Sequence, residues 1–507
     1  MSSTTPAAPT LDDPAAHHLT TTAAAAADEL RTGLAGTVHL PGEPAYDAAL
    51  GGFNLALVHR PALVVRAASP EDVARTVRAA AGHGLGVGVR STGHSAAPTG
   101  PADVLLDVSA LDGLEVDPVA RTATVGPGTS WRAVLDAGAP HGLGGLCGSS
   151  PHVGVVGYTL GGGLGPLART FGFAADHVRS LDVVTPDGSL VTASPDRHAD
   201  LFWALRGGGG AFGVVTSLTF DLFPLRTVHA GTVWFDAADA APVVHRWREL
   251  VRDLPESVTT SVARMNLPPL PDLPEPLRGR AVLVVRYVRH LGDDGRDGDA
   301  GETLDGGGMV GGAADGLVDA LRAVAPPLLD TVGDLPYARI GEIHADPEDP
   351  MPFVERGGQL RELTADAVDA FLAAVPAGSP VAMAEIRLLG GAVGRPAAVP
   401  NAVAGRDAAC TLFVGSLGAP LGPPDAAAHV QAVHDALRPW ATGGSLLNFA
   451  GPRDAVSAQL MRTSFGPGTY ERLVAMRRRL DPLGVLAPSS RWAPVHGVPA
   501  VRADPVA

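Results

Sequence analysis

Three segments rich in glycine and other small residues constrain this chain most, because each follows a predicted strand. They are VRSTGHSAAPTG at 89–100, GSSPHVGVVGYTLGGGLG at 148–165 and RGGGGAFGVVTSLTFDL at 206–222. Glycine permits sharp turns and a close approach of a ligand to the main chain. Backbone N–H groups that converge at such turns bind a pyrophosphate without lysine or arginine. Each segment alone is equally consistent with a tight turn, but the three together indicate a bound dinucleotide.

Length and charge exclude several classes of protein. A chain of 507 residues is too long for one compact core, so two or more lobes are predicted. The formal charge of −15 argues against nucleic acid or an anionic membrane as the main partner. No apolar run has the length needed to cross a bilayer, and the N-terminus lacks the pattern of a secretory signal. A cytoplasmic location is therefore expected.

Cysteine usage excludes two further kinds of stabilisation. The only cysteines are Cys147 and Cys410, too few for a disulfide framework. Their spacing suits no zinc site, so no metal is expected.

Local patterns near the N-terminus follow a strand–helix–strand order. Residues Leu63–Arg66 are typical of a short strand, and Ser69 followed by Pro70 and two acidic residues predicts a helix start. A second strand, Gly86–Arg90, leads directly into Ser91-Thr92-Gly93-His94. His94 thus sits among small residues at the end of a strand, either as a solvated turn or beside a large flat ligand.

The distribution of these patterns predicts the domain organisation. From about Thr227 the strands and helices become longer, and near Gly443 a glycine-rich pattern returns. One lobe made from both chain ends, interrupted by a middle lobe, is therefore predicted. Within the first lobe, Pro186-Asp187-Gly188 predicts a hairpin turn. A nicotinamide-dinucleotide fingerprint is absent, because no clear βαβ unit carries the glycines and no acidic residue follows at the ribose distance.

Several longer stretches together carry a resemblance to a known family. They are RPALVVRAASPEDVARTVRAAAGHGLGVGVRSTGH, GSSPHVGVVGYTLGGGLGPLARTFGFAADHV, DLFWALRGGGGAFGVVTSLTF, EIRLLGGAVGRPAAVPNAVAGRDA and LNFAGP with YERLVAMRRRLDPLGVLAP. In this order, from about residue 45 to 492, the chain resembles the berberine-bridge-enzyme-like flavoproteins of the vanillyl-alcohol-oxidase/PCMH superfamily. The resemblance implies an α+β protein. It implies a PCMH-type FAD-binding domain of two α/β subdomains, built from both chain ends, and an α+β substrate domain with an antiparallel sheet.

The resemblance also implies domain boundaries. The predicted units are a leader and helix at 1–44, the FAD-binding domain at 45–227, the substrate-binding domain at 228–442, the C-terminal return at 443–495 and a tail at 496–507.

The resemblance assigns His94 a role as the covalent anchor of FAD. In this family the histidine at this position is joined to the flavin 8α-methyl carbon. The other residues implied to bind the cofactor are Arg90, Ser91, Thr92, Gly93, Ser95, Gly148, Ser149, Ser150, Val153, Gly154, Gly157, Tyr158, Gly161, Gly162, Gly163, Gly165, Gly213, Val214, Val215 and Asn448.

A second covalent link, found in many relatives, is not expected here. Those relatives carry a cysteine in the order C-P-x-V-G, whereas this chain reads Ser150-Pro151-His152-Val153-Gly154. Serine cannot form the thioether, and Cys147 lies three places too early. Cys147 is therefore interpreted as a small apolar filler.

The proton acceptor is the second departure from the family. Sugar- and alcohol-oxidising relatives often carry tyrosine in a Y-x-N order, where this chain has Leu446-Leu447-Asn448. The catalytic candidates are Glu385 and Arg387, which alternate with apolar residues on a predicted strand, and Asn448. Glu385 and Arg387 either point into the cavity or form a charged pair on a solvated sheet face. His344 is a weaker candidate of the same kind.

The resemblance implies an FAD-linked oxidoreductase that acts on a small molecule, and an oxidase is expected. Hydride passes from an amine, phenol, alcohol or secondary metabolite to flavin N5, with O2 as the electron acceptor. Two alternatives stay open at this point. One is a dehydrogenase with another acceptor, and the other is a flavin-binding protein without catalysis.

Overall fold

The predicted strand–helix–strand unit forms the centre of a four-stranded sheet. The structure, a computed structural model, describes residues 14–94, 97–292, 312–451 and 457–486. The strands are β1 (Thr37–His39), β2 (Leu63–Arg66), β3 (Gly86–Arg90) and β4 (Asp103–Asp107), and the helices are α1 (Pro14–Arg31), α2 (Pro44–Ala48) and α3 (Pro70–Gly82). The spatial order is β1-β2-β4-β3, with β2 and β3 parallel to β4 and β1 antiparallel to β2.

Helix α3 begins where the sequence predicts. The Ser69 hydroxyl accepts a hydrogen bond from Asp72 N at 3.1 Å, and Pro70 occupies the first turn. Val73 and Val77 lie on its apolar face and are fully buried against the sheet. The predicted helix start is confirmed.

A five-stranded antiparallel sheet forms the second subdomain. Its elements and the small two-stranded pair beside it are β5 (Leu114–Asp117), β6 (Thr122–Val125), β7 (Leu143–Gly144), β8 (Val178–Val184), β9 (Leu190–Ala193), β10 (Val214–Asp221) and β11 (Phe223–Pro224), with α4 (Trp131–Gly138), α5 (Val155–Leu160), α6 (Ala168–Phe171) and α7 (Ala199–Gly208). The order is β5-β6-β10-β8-β9, and β7 pairs with β11. The predicted hairpin turn joins β8 to β9, where Thr185 N donates to Ser189 O at 2.9 Å.

The middle of the chain forms an eight-stranded sheet whose pairings are all antiparallel. Its strands are β12 (Thr227–Asp236), β13 (Val258–Asn266), β14 (Ala281–His290), β15 (Leu329–Asp330), β16 (Gly333–Pro336), β17 (Phe353–Leu360), β18 (Met383–Leu388) and β19 (Cys410–Leu417), and its helices are α8 (Ala240–Leu250), α9 (Gly312–Arg322), α10 (Ala365–Ala374) and α11 (Ala426–Ala436). The order is β15-β12-β14-β13-β18-β19-β17, with β16 also paired to β12. The mixture of helices and antiparallel sheets confirms the predicted α+β class.

The two faces of the large sheet pack against different partners. Helices α8 to α11 cover one face through residues such as Trp247 and Phe371, which are fully buried. On the opposite face Val228 and Val288 join the core of the second subdomain. Apolar burial of this kind is the main favourable term in holding the sheet against its neighbours. The large sheet is therefore a layer between its own helices and the FAD-binding half.

The C-terminal segment returns to the first sheet. Helix α12 (Ala458–Leu480) packs its Leu473 into the core of the second subdomain. Beyond it, Val485 and Leu486 are buried in the cluster around β2–β4, and Val87 N donates to Val485 O at 2.7 Å. The exact domain boundaries stay predictions. Among the described residues, none of the helices combines the length and apolarity required to traverse a bilayer.

A buried ion pair closes this C-terminal return, and its removal is the first testable prediction. The Asp481 carboxylate accepts bonds from Val485 N at 2.7 Å, Leu486 N at 3.0 Å and Arg477 Nη2 at 3.3 Å. The Arg477 side chain is 0% exposed. Asp481→Ala leaves that guanidinium without its carboxylate, so we expect the free energy of unfolding to fall by about 3 to 5 kcal/mol in urea titrations. Asp435→Ala, at the exposed pair with Arg438, is the control and should change it little. Equal effects of the two substitutions would contradict the analysis.

Candidate active site

Main-chain contacts fix the loop that carries His94. Phe53 N donates to Thr92 O at 3.1 Å and Asn54 N to Gly93 O at 3.3 Å. Gly93 has φ +78°, and a Cβ at this position would lie 2.8 Å from Gly52 Cα. An L side chain at Gly93 would therefore be strained and would clash with the neighbouring backbone. Glycine at this position lets the two loops meet.

Arg90, the last residue of β3, anchors the start of the same loop. Its Nη2 pairs with Asp107 Oδ2 at 2.9 Å in a buried ion pair, and its Nη1 donates to Gly51 O. These contacts hold the end of β3 in place. Arg90, which is predicted to bind the cofactor, thus uses both of its Nη groups in hydrogen bonds to protein atoms.

His94 is held in a defined orientation. Its ring stacks on Phe53 with the centroids 3.9 Å apart and an interplanar angle of 8°, and its Nδ1 lies 3.0 Å from Thr92 Oγ1. Burial lowers the pKa of His94 to about 4, against the opposing charge of Asp346. Nε2 is buried and has no hydrogen-bond partner among the described residues. The structure therefore presents a neutral imidazole with one unengaged ring nitrogen.

The second glycine segment lies alongside this loop. Ser91 Oγ donates to Pro127 O at 2.7 Å, while Trp131 N donates to Val153 O at 3.1 Å. The strand-end loops at 91–94, 127–131 and 150–155 are thereby joined side by side. The first two predicted cofactor segments come together as the sequence indicates.

Buried polar atoms that have no hydrogen-bond partner in the described part of the chain lie in these two segments. They are His94 Nε2, Ser150 Oγ, the Tyr158 hydroxyl and Thr159 Oγ1. Buried polar groups in folded proteins normally have a hydrogen-bond partner, so a group of orphans indicates an external ligand. A large polar ligand such as FAD fits this arrangement, with Ser150 where the second-tether cysteine would stand.

The third segment contributes mainly to the cores. Val214 and Val215 are buried at the start of β10, where they pair with Val184 and Val183. Their side chains belong to the hydrophobic clusters and are therefore not available to bind a cofactor. Ser95, another predicted cofactor residue, lies outside the described residues.

Glu385 and Arg387 project from the same face of β18, as predicted. Ala384 and Ile386 point to the opposite, helix-covered side. Arg387 Nε donates to Glu385 Oε2 at 2.7 Å, and the Glu385 side chain is 0% exposed. The two residues therefore do form a pair, but it is buried and does not lie on a solvated sheet face.

Two further residues complete the environment of Glu385. Its Oε1 accepts hydrogen bonds from Ser261 Oγ at 2.6 Å and Arg286 Nη1 at 2.9 Å. Burial alone would raise the pKa of Glu385, but the charges of Arg387 and Arg286 hold it well below the usual value. Glu385 is therefore ionised throughout the ordinary pH range.

His344 lies between this sheet face and the FAD-binding half. The 3₁₀ helix before it, Tyr337–Ile343, is fixed to the second subdomain because the Tyr337 hydroxyl donates to Gly145 O at 2.7 Å. His344 Nε2 is 3.6 Å from Glu385 Oε1, and both ring nitrogens are buried without hydrogen-bond partners among the described residues. Burial and the charge of Arg286 lower the pKa of His344. His344 is therefore a neutral imidazole.

The C-terminal segment joins the two halves of the site. Asn448 Nδ2 donates to Tyr158 O at 2.7 Å, and the next residue, Phe449, lies with its ring centroid 5.3 Å from Arg387 Cζ. Leu446 is buried in a small apolar cluster. The predicted residues Arg387, Asn448 and Tyr158 are thus neighbours, while the position of the family tyrosine carries no proton acceptor.

Sequence reasoning missed several members of this site. Phe53 and Ser261 carry no local signal, because aromatic and hydroxyl residues are ordinary in their contexts. Arg286 did carry one, since it is a charge within the apolar strand AVLVVRYV. A charged residue in such a run needs a buried partner.

Comparisons with known proteins agree with this geometry. A family model described as an FAD binding domain matches residues 61–194. The sequence is 28% identical over 468 residues to the (R)-6-hydroxynicotine oxidase of Paenarthrobacter nicotinovorans, covering 89% of this chain and 94% of that protein. The relatives found in these comparisons are PCMH/VAO flavoproteins, so the predicted resemblance is confirmed. The chain is an FAD-dependent oxidoreductase, as the sequence predicts.

Solved structures of this flavoprotein family share the fold. The 6-hydroxy-D-nicotine oxidase of Arthrobacter nicotinovorans superposes with a TM-score of 0.74 at 24% identity, over 90% of this chain and 97% of that chain. The BBE-like 1 protein of Physcomitrella patens gives a TM-score of 0.74 at 20% identity, over 91% and 97%. At these identities the likeness establishes the architecture alone.

Proposed function

We propose that this flavoprotein is an oxidase whose FAD is covalently attached through His94. The single observation that carries the proposal is the neutral His94 imidazole, stacked on Phe53, with one ring nitrogen unengaged at the glycine-rich loop. A neutral imidazole has the free lone pair that bond formation to carbon requires. Ser91, Thr92 and Gly93 hold the ring at the place where the orphaned polar atoms collect.

When bound, FAD would supply hydride acceptance at its N5 atom and electron transfer to O2. The chain's own residues provide the enclosure. In this proposal the face of β18 and β13 that carries Glu385 covers the site, and the 3₁₀ helix before His344, whose apolar side is buried, helps to exclude water. Exclusion of water strengthens each electrostatic contact inside.

The residue at position 446 bears on the class of substrate. Without a tyrosine at Leu446, oxidation of simple sugars is disfavoured, and an amine, phenol, alcohol or secondary metabolite is favoured. The relative that acts on 6-hydroxynicotine, an amine, supports this choice.

His344 is the residue we propose as the proton acceptor. Glu385 is unsuited because its oxygens are already hydrogen-bonded and two guanidinium groups stabilise its charge. His344 is neutral, has both ring nitrogens unengaged, and lies beside the charged cluster. Glu385 and Arg387, predicted as catalytic, therefore act in this proposal by positioning and binding.

Peroxide release tests the oxidase proposal. The purified yellow protein in air, screened with amines, phenols and oligosaccharides, should release hydrogen peroxide with amines or phenols and little with oligosaccharides. Turnover with an artificial acceptor but not with O2 would contradict the oxidase and favour a dehydrogenase.

His94→Ala should abolish acid-stable flavin fluorescence on a denaturing gel, because the attachment atom is removed. Cys147→Ser is the matched control. Cys147 is 1% exposed and burial raises the pKa of its thiol to about 12, so it is not a thiolate at neutral pH. The fluorescent band should survive in Cys147→Ser. A band that persists in His94→Ala would overturn the tether.

His344→Gln should lower kcat by about 10² to 10⁴-fold, the usual worth of a general base. In the native enzyme, kcat/KM should fall with acid as His344 is protonated, at a pH below about 6.5 because its pKa is lowered. Glu385 keeps its charge in that range because its pKa is held well below the usual value, so this acid limb belongs to His344 and should vanish in the variant. His245→Gln, at the exposed pair with Asp369, should keep the limb. An unchanged profile in His344→Gln would refute the assignment.

A further inference from the structure

The hydrogen bonds that Glu385 already accepts leave it no capacity to accept from the remaining N–H groups of Arg286 and Arg387. Oε1 accepts from Ser261 and Arg286, and Oε2 accepts from Arg387 Nε and lies 2.7 Å from Arg387 Nη2. A carboxylate has about four lone-pair sites. The carboxylate of Glu385 therefore has no lone-pair site left for another donor.

Both guanidinium groups retain donors that the protein does not satisfy. Arg387 Nη1 makes no hydrogen bond within the part of the chain that the structure describes. Arg286 Nε is buried without a partner there. Arg286 Nη2 reaches only the sulfur atoms of Met265 at 4.0 Å and Met383 at 3.9 Å, which are weak acceptors. Buried donors of this kind are costly unless a ligand accepts from them.

The charged side chains around Glu385 also carry a net positive charge. One carboxylate faces two guanidinium groups, and the side chains of Arg286 and Arg387 are only 3% and 12% exposed. The nearest further acid on this sheet face, Glu355, lies two strands away at the register of Met383. His344 is neutral. An unmatched buried cation strongly favours binding an anion.

The spare donors lie at the junction with the FAD-binding half and beside aromatic rings. Arg387 Cζ is 5.3 Å from the Phe449 ring centroid, and its charge acts on the buried hydroxyl of Tyr158. Phe413 pairs with Glu385 across the sheet and packs edge-on against Phe449, with centroids 5.8 Å apart. Such a surface suits a flat ring that bears a negative oxygen.

We propose that Arg387 selects substrates that carry an ionised oxygen, a carboxylate or phenolate on an aromatic ring. The inference rests on the proposed function and names its substrate class more narrowly. Arg387 is the binding group, because its Nη1 is unengaged and partly accessible. Arg286 and Ser261 are positioning residues that hold Glu385, which in turn orients the Arg387 fork.

Titration of the flavin-loaded protein with benzoate tests the proposal without turnover. Benzoate should perturb the flavin absorbance and bind at least about tenfold more tightly than benzamide, its neutral isostere, because a charge-assisted hydrogen bond is lost in the amide. Arg387→Gln should weaken benzoate binding at least about tenfold and leave benzamide unchanged. Arg395→Gln, at the exposed pair with Glu256, is the control and should behave as the native protein.

Glu385→Gln should change the affinity for benzoate in the direction opposite to Arg387→Gln. The amide oxygen of the glutamine can still accept from the Arg387 fork, but the competing negative charge is gone, so benzoate should bind several-fold more tightly in this variant. A residue with a merely structural role would not tighten anion binding. If Arg387→Gln fails to fold, Arg387→Lys keeps the charge without the planar fork and should still weaken benzoate binding.

Two outcomes would overturn the proposal. They are equal binding of benzamide and benzoate, and unchanged benzoate binding in Arg387→Gln, with or without a weakened affinity of the flavin for sulfite in that variant. A weakened sulfite affinity with benzoate binding intact would mean that Arg387 serves the negative charge of the flavin and not the substrate. Charge-selective benzoate binding without peroxide release from any screened compound would count against the oxidase alone.

Discussion

The site depends on a close approach between main chains that only glycine permits. Gly93 lies against Gly52, so that residues 53 and 54 donate backbone hydrogen bonds to the loop before His94. The same short segment reaches the large sheet, because Asn54 Nδ2 donates to Phe353 O at 2.9 Å and Phe353 N donates to Asn54 Oδ1 at 3.1 Å. The loop at residues 52–54 thus fixes both the orientation of the His94 imidazole and the position of the large sheet relative to it.

Electrostatics divides the site into neutral and charged groups. Burial keeps His94 and His344 uncharged, which preserves the lone pairs that bond formation or proton transfer needs. Glu385 is more deeply buried than His94 but stays ionised, because two guanidinium groups pair with it. The difference lies in the partners and not in the depth of burial. An acidic chain therefore contains a local positive charge at its centre.

The local parts of the fold were predictable from sequence. The cap at Ser69 and the hairpin turn at Pro186-Asp187-Gly188 depend on a few adjacent residues, and both are confirmed. The α+β class and the resemblance to the PCMH/VAO flavoproteins are confirmed as well. The role of the cofactor residues stays a prediction. The choice between a cavity-facing and a solvated pair at Glu385 and Arg387 could not be made, because strand alternation gives a shared side but not what covers it.

The amino-acid order alone places small residues next to several predicted strands, sets His94 among them, and puts Leu446 where related oxidases carry a tyrosine. These are properties of order and spacing along the chain. The folded arrangement, in contrast, brings Ser261, Arg286 and Arg387 around one carboxylate and places His344 beside it. Those residues come from different strands and loops, and an ionisation state or an unsatisfied donor depends on which groups the fold brings within a few ångströms.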